Sequence, residues 1–335
     1  MRSKYCLLML LAATLTLMPS SCSIINEDLS DCGVDNTIVY SLKLKTNVQI
    51  ELDVQLGLEA ERPVAEALKA SLSNIFTDRA HDIDLSFYNS NNKLYKREQH
   101  IMDASQAEYV VYLPERDYRN LALANIAEAE NMSHITDDDD PTAMSIQYAN
   151  LTDTVNSQTT GLFTARQVIE VCGCTETYHV DLYMANSCAA LVVDTTGVNV
   201  TGIDVFTQGF ATSFAVADST YTFAANPIVR SVEVPLPGMH STCHYAVSFP
   251  SRNTEASRAS TRSADPFFHI KAYVKLPDGT VTENIISVES PLLAGYLKII
   301  KMKMKTDGSL TPVSHDVGVS VTLDWKHGGT YEPEI

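Results

Sequence analysis

Apolar and polar residues alternate in many short segments of this chain, which is the pattern of half-buried β-strands. The clearest segment is 48–56, where Val, Ile, Leu, Val and Leu alternate with Gln, Glu, Asp and Gln. The same period of two recurs at 38–44, 83–87, 109–113, 178–182, 232–236, 245–249, 268–276 and 317–325. Many short alternating strands at regular spacing predict an all-β chain of antiparallel β-sandwiches.

One segment departs from this period and predicts a single short helix. Val64, Leu68, Leu72 and Ile75 recur at helical spacing, and Pro63 suits a first helical turn. Two turns are predicted as well, at Asn91-Asn92 and at the "PDGT" of 277–280. The helix therefore accompanies a sheet in the first half of the chain.

The N-terminus has the layout of a secretory signal peptide. Arg2 and Lys4 give a positive start, a fourteen-residue run at 5–18 is almost wholly apolar, and two serines precede Cys22. A membrane-spanning helix needs roughly 20 apolar residues, so this run is too short to remain as an anchor. The sequence predicts that 1–21 is removed and that no transmembrane helix remains.

Cys22 is the predicted site of membrane attachment. The segment "LMPSSC" resembles a bacterial lipobox, in which a small residue precedes the cysteine that receives a diacylglyceryl group. Acyl chains contribute about 0.8 kcal/mol per buried CH₂ and can hold a protein on a membrane without a helix. The alternative is an ordinary signal peptide cut near Ser21, which would leave Cys22 free to pair with Cys32.

Length and composition predict two domains after the signal peptide. Hydrophobic residues make up 45% of the 335 residues, as expected for globular domains. We expect a tether at 22–36, an N-terminal β-sandwich at 37–175 and a C-terminal one at 176–335. Polar segments at 136–144 and 156–161 are interpreted as connections. The polar, arginine-containing loop at 251–265 is the expected protease-sensitive site.

The charge of the chain excludes two classes of partner. The formal charge is −17, and removal of 1–21 leaves 22 basic and 41 acidic residues, a formal charge of −19. Nucleic acid needs a basic surface, and so does electrostatic adhesion to anionic lipid. We expect no nucleic-acid partner.

The thiols and carboxylates give no convincing catalytic or metal site. If Cys22 is acylated, the mature chain keeps an odd number of other thiols: Cys32, Cys172, Cys174, Cys188 and Cys243. Cys172 and Cys174, together with His240, Cys243 and His244, match none of the usual zinc spacings. The aspartates of 137–140 lack the glycine-spaced loop of a calcium site. No third group orients a Cys–His nucleophile, so we predict no catalytic residue, metal or cofactor.

Several stretches together resemble the fimbrillin-A-associated anchor family, whose members are minor subunits of Bacteroides-type (type V) fimbriae. They are "CSIINEDLSDCG", "NTIVYSLKLKTNVQIELDVQL", "DIDLSFYNSNNKLY", "EYVVYLPERDYRNLALANI" and "VGVSVTLDWKHGG". The resemblance covers nearly the whole mature chain. It implies two transthyretin-like β-sandwiches and a non-catalytic subunit that is lipidated in the outer membrane and joins the fimbrial shaft. It brings no cofactor.

The arginines bear on how such a subunit is processed. The resemblance implies that shaft subunits lose their lipidated N-terminal piece to an arginine-specific protease. Here no arginine lies between Cys22 and Glu61, and the first one, Arg62, precedes Pro63, which makes a poor cleavage site. This pattern favours a subunit that keeps its lipid.

Strand addition is the predicted mode of contact with the shaft. The candidate partner strand carries Val317, Val319, Val321, Leu323 and Trp325 on one face. The alternative is that it is simply the last strand of the second domain.

Two further function classes remain open. A surface adhesin or glycan-binding lipoprotein on the same fold would need an exposed aromatic platform, while a secreted hydrolase would need a convergent acid–base or nucleophile cluster. Segments 153–155 and 218–220 also resemble the Asp-Ser/Thr acceptor sites of Bacteroides O-glycosylation.

Overall fold

The computed structural model describes residues 36–45, 56, 61–77, 80–103, 106, 108–151, 154–172, 176–224, 226–252, 266–313 and 319–326. These residues form four β-sheets, one α-helix, α1 (Arg62–Leu72), and one 3₁₀ turn (Pro141–Ala143). The prediction of an all-β fold with a single helix is confirmed. Within this part of the chain, no helix has the length and hydrophobicity needed to cross a membrane.

The strands are numbered in chain order. They are β1 (Asn36–Lys45), β2 (Asp82–Tyr88), β3 (Leu94–Ile101), β4 (Glu108–Leu113), β5 (Asp117–Ala124), β6 (Met132–Ile135), β7 (Ser145–Tyr148), β8 (Val155–Asn156), β9 (Phe163–Glu170), β10 (Glu176–Met184), β11 (Ser187–Asp194), β12 (Gly202–Gln208), β13 (Ser213–Ala215), β14 (Thr220–Thr222), β15 (Val229–Arg230), β16 (Val232–Val234), β17 (Ser241–Ser248), β18 (Phe268–Lys275), β19 (Val281–Val288), β20 (Leu297–Met304), β21 (Leu310–Pro312) and β22 (Val319–Lys326).

Most of the predicted elements are present. The alternating segments correspond to β1, β2, β4, β10, β16, β17, β18 and β22. β16 ends at Val234, before its predicted end, because Pro235 has no N–H to donate to a ladder. The predicted turns are formed too, with Asn92 (φ 60°) and Gly279 (φ 86°) in the left-handed region. The predicted strand at 48–56 lies outside the described residues except for Leu56, and most of loop 251–265 lies outside them as well.

The first sheet has seven strands, in the order β3-β2-β5-β9-β10-β1-β4. The β9–β10 ladder has two pairs, Thr164↔Tyr183 and Phe163↔Met184, and beyond them the two strands separate. The sheet folds at this point into two layers, and the ring of Tyr40 in one layer meets that of Phe87 in the other at 5.9 Å. This folded sheet forms the first sandwich.

Helix α1 packs into the core of the first sandwich. Val64, Leu68 and Leu72 are buried, together with Ile75 just beyond the helix. The same apolar cluster includes residues of β11, β17 and β20 from the second half of the chain. An ion pair between Glu61 and Lys301, 2.9 Å apart, ties the start of the helix to β20. The helix thus joins the two halves.

The second sandwich consists of a five-stranded sheet, β16-β17-β11-β20-β21, and a six-stranded sheet, β22-β19-β18-β12-β15-β8. The central strand of the five-stranded sheet, β11, is buried on both faces. On β11, Cys188 and Ala190 belong to the core of the first sandwich, whereas Ala189 and Leu191 belong to the second core. One sheet therefore serves both hydrophobic cores.

A fourth sheet, β14-β13-β7-β6, takes two strands from each half of the chain. Ile146 of β7 lies opposite Phe214 of β13. Both residues pack in one cluster with Tyr88 and Leu121, which lie on the outer face of the first sheet. The predicted connection 136–144 contains the 3₁₀ turn and leads directly into β7, and the predicted connection 156–161 begins at the last residue of β8.

Strand membership bears on the predicted domain boundary at 175/176. β10 follows that boundary and lies in the seven-stranded sheet, while β8 precedes it and lies in the six-stranded sheet. The two-domain division stays a prediction, and we propose that its boundary falls between β10 and β11. The short strand β8 would then cross into the second sandwich.

A buried polar cluster links β2, β3 and β6. Asp84, 1% exposed, accepts hydrogen bonds from Arg97 Nε (3.0 Å), Arg97 Nη2 (2.5 Å) and Gln99 Nε2 (2.8 Å). Arg97 also donates to Thr136 Oγ1 at 3.1 Å. Burial lowers the pKa of His134, so its neutral ring accepts from Arg97 Nη2 at 3.2 Å. The cluster fixes β6 against the first sandwich.

Removing the Asp84 carboxylate should strongly destabilise the protein. Asp84→Ala leaves Arg97 without its main partner in a largely dry site, and we expect the free energy of unfolding to fall by about 3 kcal/mol. Lys93→Ala is the control, because the Lys93–Asp139 pair is 3.7 Å long and exposed and should contribute under about 1 kcal/mol. Urea unfolding measures both, and equal losses would contradict this account of the cluster.

A second prediction concerns the stability of the protein at low pH. Burial lowers the pKa of His244 to about 4, so the unfolded chain binds its proton more readily than the folded chain does. Stability should therefore fall as the pH drops below the unfolded pKa of about 6.5, by roughly 2–3 kcal/mol between pH 7 and pH 4.5.

The measurement compares the wild type with His244→Leu. The difference between their free energies of unfolding, taken from urea titrations at each pH, isolates this histidine from the other titrating groups. The difference should shift by the stated amount in favour of the variant as the pH falls. A pH-independent difference would mean that His244 is protonated equally well in the folded chain.

Candidate functional site

Strands at the ends of a sheet leave one side of their backbone unpaired, and such edges can bind a strand of another chain. In the part of the chain that the structure describes, the end strands are β3 and β4, β16 and β21, β22 and β8, and β14 and β6. These edges are the candidate functional surfaces.

The two ends of the folded seven-stranded sheet lie against each other. Tyr109 of β4 donates a hydrogen bond to Glu98 Oε2 of β3 at 2.5 Å, and Lys96 Nζ donates to the carbonyl of Tyr112 at 3.0 Å. Burial and the Glu98 carboxylate raise the pKa of Tyr109 to about 12, so its hydroxyl stays a donor at neutral pH. Side-chain bonds thus occupy this pair of edges.

The predicted partner strand coincides with β22, except for Val317, which lies outside the described residues. β22 forms an antiparallel ladder with β19, in which Val319, Val321, Leu323 and Trp325 face Val288, Ile286, Asn284 and Thr282. The strand is therefore paired within its own chain and ends the six-stranded sheet. One side of its backbone is left at the sheet edge, and its donation to a partner stays a prediction.

β1 occupies an interior position in the first sandwich. It pairs in parallel with β10 over eight residues and antiparallel with β4 over six, and Ile38 and Tyr40 are fully buried. Arg62, the first arginine after Cys22, begins α1 and is followed by Pro63 in the first helical turn. Cleavage there would cut the chain between β1 and the rest of its own core.

Three thiols lie within the described residues, and two of them are deeply buried. Cys22, Cys32 and Cys174 are outside the described residues, whereas Cys172, Cys188 and Cys243 take part in no disulfide bond within the described part of the chain. Burial raises the pKa of Cys243 to about 12 and that of Cys188 well above its usual value, which suppresses the nucleophilic thiolate.

The residues considered for metal binding do not converge. Cys243 lies on the face of β17 that meets the first core, whereas His244 points to the opposite face. Cys172 is exposed beyond the end of β9. Among the described residues, no group of three or more His, Cys, Asp or Glu side chains is arranged to hold a metal ion.

The acidic segment 137–140 is bound into turns. Asp137 Oδ1 accepts from the amide of Asp139 at 2.8 Å, and Asp140 Oδ1 accepts from the amide of Thr142 at 2.8 Å. The hydrogen bonds from Thr142 lower the pKa of Asp140. The segment also holds β3, because Leu94 donates its amide to the carbonyl of Asp138.

One predicted glycosylation segment can be located. Asp218, Ser219 and Thr220 form an exposed turn in which Asp218 Oδ1 accepts from both the amide and the hydroxyl of Thr220. In the other segment, Asp153 lies outside the described residues. Glycosylation at either place stays a prediction.

Sequence reasoning missed two features. The Asp84 cluster was not predicted because Asp84 occupies an apparently solvent-facing position of an alternating strand. The opening between β9 and β10 was not predicted either, since it depends on where a ladder ends. No local signal in the sequence identifies either feature.

Comparison with known proteins identifies the family. Residues 58–232, more than half of the chain, match the family of fimbrillin-A associated anchor proteins Mfa1 and Mfa2. No curated protein sequence matches the chain.

Two solved structures with TM-scores of 0.51 share the fold. A proposed adhesin from Bacteroides ovatus has 10% identity and a TM-score of 0.51, covering 88% of this chain and 96% of that one. A proposed adhesin from Bacteroides thetaiotaomicron has 6% identity and a TM-score of 0.51, covering 86% and 96%. The fimbrial anchor protein Mfa2 from Porphyromonas gingivalis has 9% identity and a TM-score of 0.48, covering 88% and 100%. With its family match, this chain belongs to the fimbrillin-A associated anchor proteins.

Proposed function

We propose that this chain is a non-catalytic outer-membrane lipoprotein, held by acylated Cys22, that acts as an anchor or minor assembly subunit of cell-surface fimbriae. The observation that carries the proposal is the interior position of β1. The strand begins fourteen residues after Cys22, and no arginine separates the two. A lipid on Cys22 would thus be joined directly to the centre of the first sandwich.

The interior position of β1 also favours retention of the lipid. β1 is paired on both sides and carries fully buried residues, so losing it would leave the facing edges of β4 and β10 unpaired and remove Ile38 and Tyr40 from the core. Opening a core in this way costs several kcal/mol for each large side chain exposed. A subunit with β1 in this position is better suited to keep its lipidated N-terminal segment than to lose it by cleavage.

Contact with a shaft subunit is proposed at a sheet edge. β22 ends the six-stranded sheet and offers one side of its backbone to an added strand. Main-chain hydrogen bonds would supply affinity, and the alternation of side chains would set the register. The fimbrial shaft is the proposed protein partner, and the lipid of the outer membrane is the second partner.

A surface adhesin is the second candidate function. Tyr112 and Tyr183 are 53% and 60% exposed, and exposed aromatic rings of this kind can stack on sugars. The two solved structures with a TM-score of 0.51 are also described as proposed adhesins. This role is compatible with the same lipid attachment.

Membrane attachment is tested by Cys22→Ala, with Cys32→Ala as the matched control. We expect the first variant to leave the membrane fraction and the second to stay in it, because only the first removes the acylation site. Fractionation followed by immunoblotting provides the readout. If the Cys22 variant sediments with membranes as the parent does, attachment does not depend on the lipid.

The anchor role is tested by deleting the gene and restoring it with either the parent or the Cys22→Ala form. Deletion should release fimbriae into the medium or change their length, and only the parent form should restore retention. Electron microscopy and quantification of shed fimbriae measure the effect. Fimbriae that remain on the deleted strain at normal length would overturn the anchor role and leave the adhesin role standing.

A further inference from the structure

A cleft lies on the outer side of the first sandwich, where β9 and β10 approach β13 and β14 of the four-stranded sheet. We call it the seam cleft and define it by six of the residues that line it: Arg166, Asp181, Tyr183, Phe214, Ser219 and Tyr221. Ala165 and Val180, one on each side of the opening between β9 and β10, also line it. Its volume of about 460 Å³ falls within the roughly 300–1,000 Å³ of small-molecule sites. The cleft can therefore hold a small organic ligand.

Aromatic rings form part of the lining. Tyr183 lies opposite Thr164 in the β9–β10 ladder and is 60% exposed, so much of its ring is open to a ligand. Phe214 and Tyr221, whose ring centroids are 4.7 Å apart, form a second aromatic surface. Tyr221 Oη donates to the carbonyl of Ala185 at 2.8 Å, which fixes that ring. The cleft thus offers flat apolar surfaces whose positions are set in advance.

The cleft also presents an arginine that is bound only to a carbonyl. Arg166 Nη1 donates to the carbonyl of Ala217 at 2.8 Å, and Arg119 Nη2 donates to the same carbonyl at 3.2 Å. In the part of the chain that the structure describes, Arg166 is paired with no carboxylate. A guanidinium carries five N–H donors and binds a carboxylate through two parallel bonds. Arg166 therefore has donors left for an anionic group.

The acidic groups of this region are already engaged. Asp181 lies 3.5 Å from Lys45 Nζ, and Asp218 accepts hydrogen bonds from the amide and the hydroxyl of Thr220. The formal charge of −17 repels anions at long range, but physiological salt screens charges beyond about 8 Å. At contact distance the positive charge of Arg166 and Arg119 therefore decides which ligands the cleft accepts.

We propose that the seam cleft binds an acidic saccharide, a short chain of sugars that carries carboxylates. A carboxylate would accept from Arg166, a sugar ring would pack on Tyr183, and hydroxyls would bond to Asp181 and Ser219. A saccharide supplies all three kinds of group in one molecule. A simple inorganic anion would leave the aromatic rings unused, and a purely apolar ligand would leave the charge of Arg166 without a partner.

This proposal gives a site and a ligand class to the adhesin role, which is the second candidate function, and it rests on that role. The anchor role does not enter, because binding is measured on the mature chain without a lipid. A sugar site on the outer side of the first sandwich also leaves both ladders of β1 in place.

The ligand class is tested by isothermal titration calorimetry of the mature chain (22–335) with trigalacturonic acid. The fully methyl-esterified trisaccharide is the control, because esterification removes the negative charges and keeps the rings and hydroxyls. We expect the acid to bind about tenfold or more tightly than the ester at low salt, and the difference to shrink as salt is added. Absence of binding by the acid, or equal affinity for the two trisaccharides, would overturn the proposal.

The site is tested with variants. Arg166→Gln should weaken binding of the acid by about tenfold or more, and Arg62→Gln, at the exposed start of α1, should bind as the parent does. Tyr183→Ala should weaken binding by roughly two- to tenfold, with Tyr112→Ala, another exposed tyrosine, as its matched control. A folded Arg166→Gln variant that binds the acid as the parent does would overturn this site and leave the adhesin role to another surface.

A measurement on the parent chain decides if Arg166→Gln does not fold. Hydrogen–deuterium exchange is followed with and without trigalacturonic acid, and the methyl ester is again the control. The acid should slow exchange in 164–167 and 181–183. Protection confined to other parts of the chain would place the saccharide elsewhere and overturn the proposal.

Discussion

Burial of β11, the central strand of the five-stranded sheet, on both faces is the constraint on which the rest of the structure depends. Side chains of β11 alternate between two cores, with Cys188 and Ala190 in one and Ala189 and Leu191 in the other. Separating the halves would expose a face of this sheet, the apolar face of α1 and the Glu61–Lys301 pair together. The shared four-stranded sheet adds hydrogen bonds across the same junction. The two sandwiches therefore behave as parts of one packed unit.

Whether a strand is covered on one face or on both also explains whether the sequence predicts it. β1, β10 and β18 have one face in a core, so alternation predicts them. β11 reads "SCAALVVD" and β5 ends in "LALA", continuous apolar runs that occur when both faces are covered. Periodicity cannot separate such runs from buried helix. The four-stranded sheet is not predicted for another reason. Its strands have only three or four residues, which is too short for a period to be recognised.

The candidate sites divide in the same way. The interior position of β1 and the absence of arginine between Cys22 and Glu61 are both features of one continuous stretch of chain. The opening between β9 and β10, by contrast, depends on where their ladder ends, and Phe214 and Tyr221, which line it, are distant from both strands in sequence. Residues so far apart carry no common local pattern. Only the folded chain brings them together.

The interior position of β1 has a mechanical consequence. If the proposed lipid on Cys22 holds the base of a fimbria, a pull on that fimbria loads the chain at the N-terminal end of β1. Force along a strand paired on both sides shears its hydrogen bonds together, whereas force on a terminal hairpin opens them one at a time. The parallel ladder with β10 and the antiparallel ladder with β4 would thus share the tension. Its two ladders suit β1 to bear a tether at its N-terminal end.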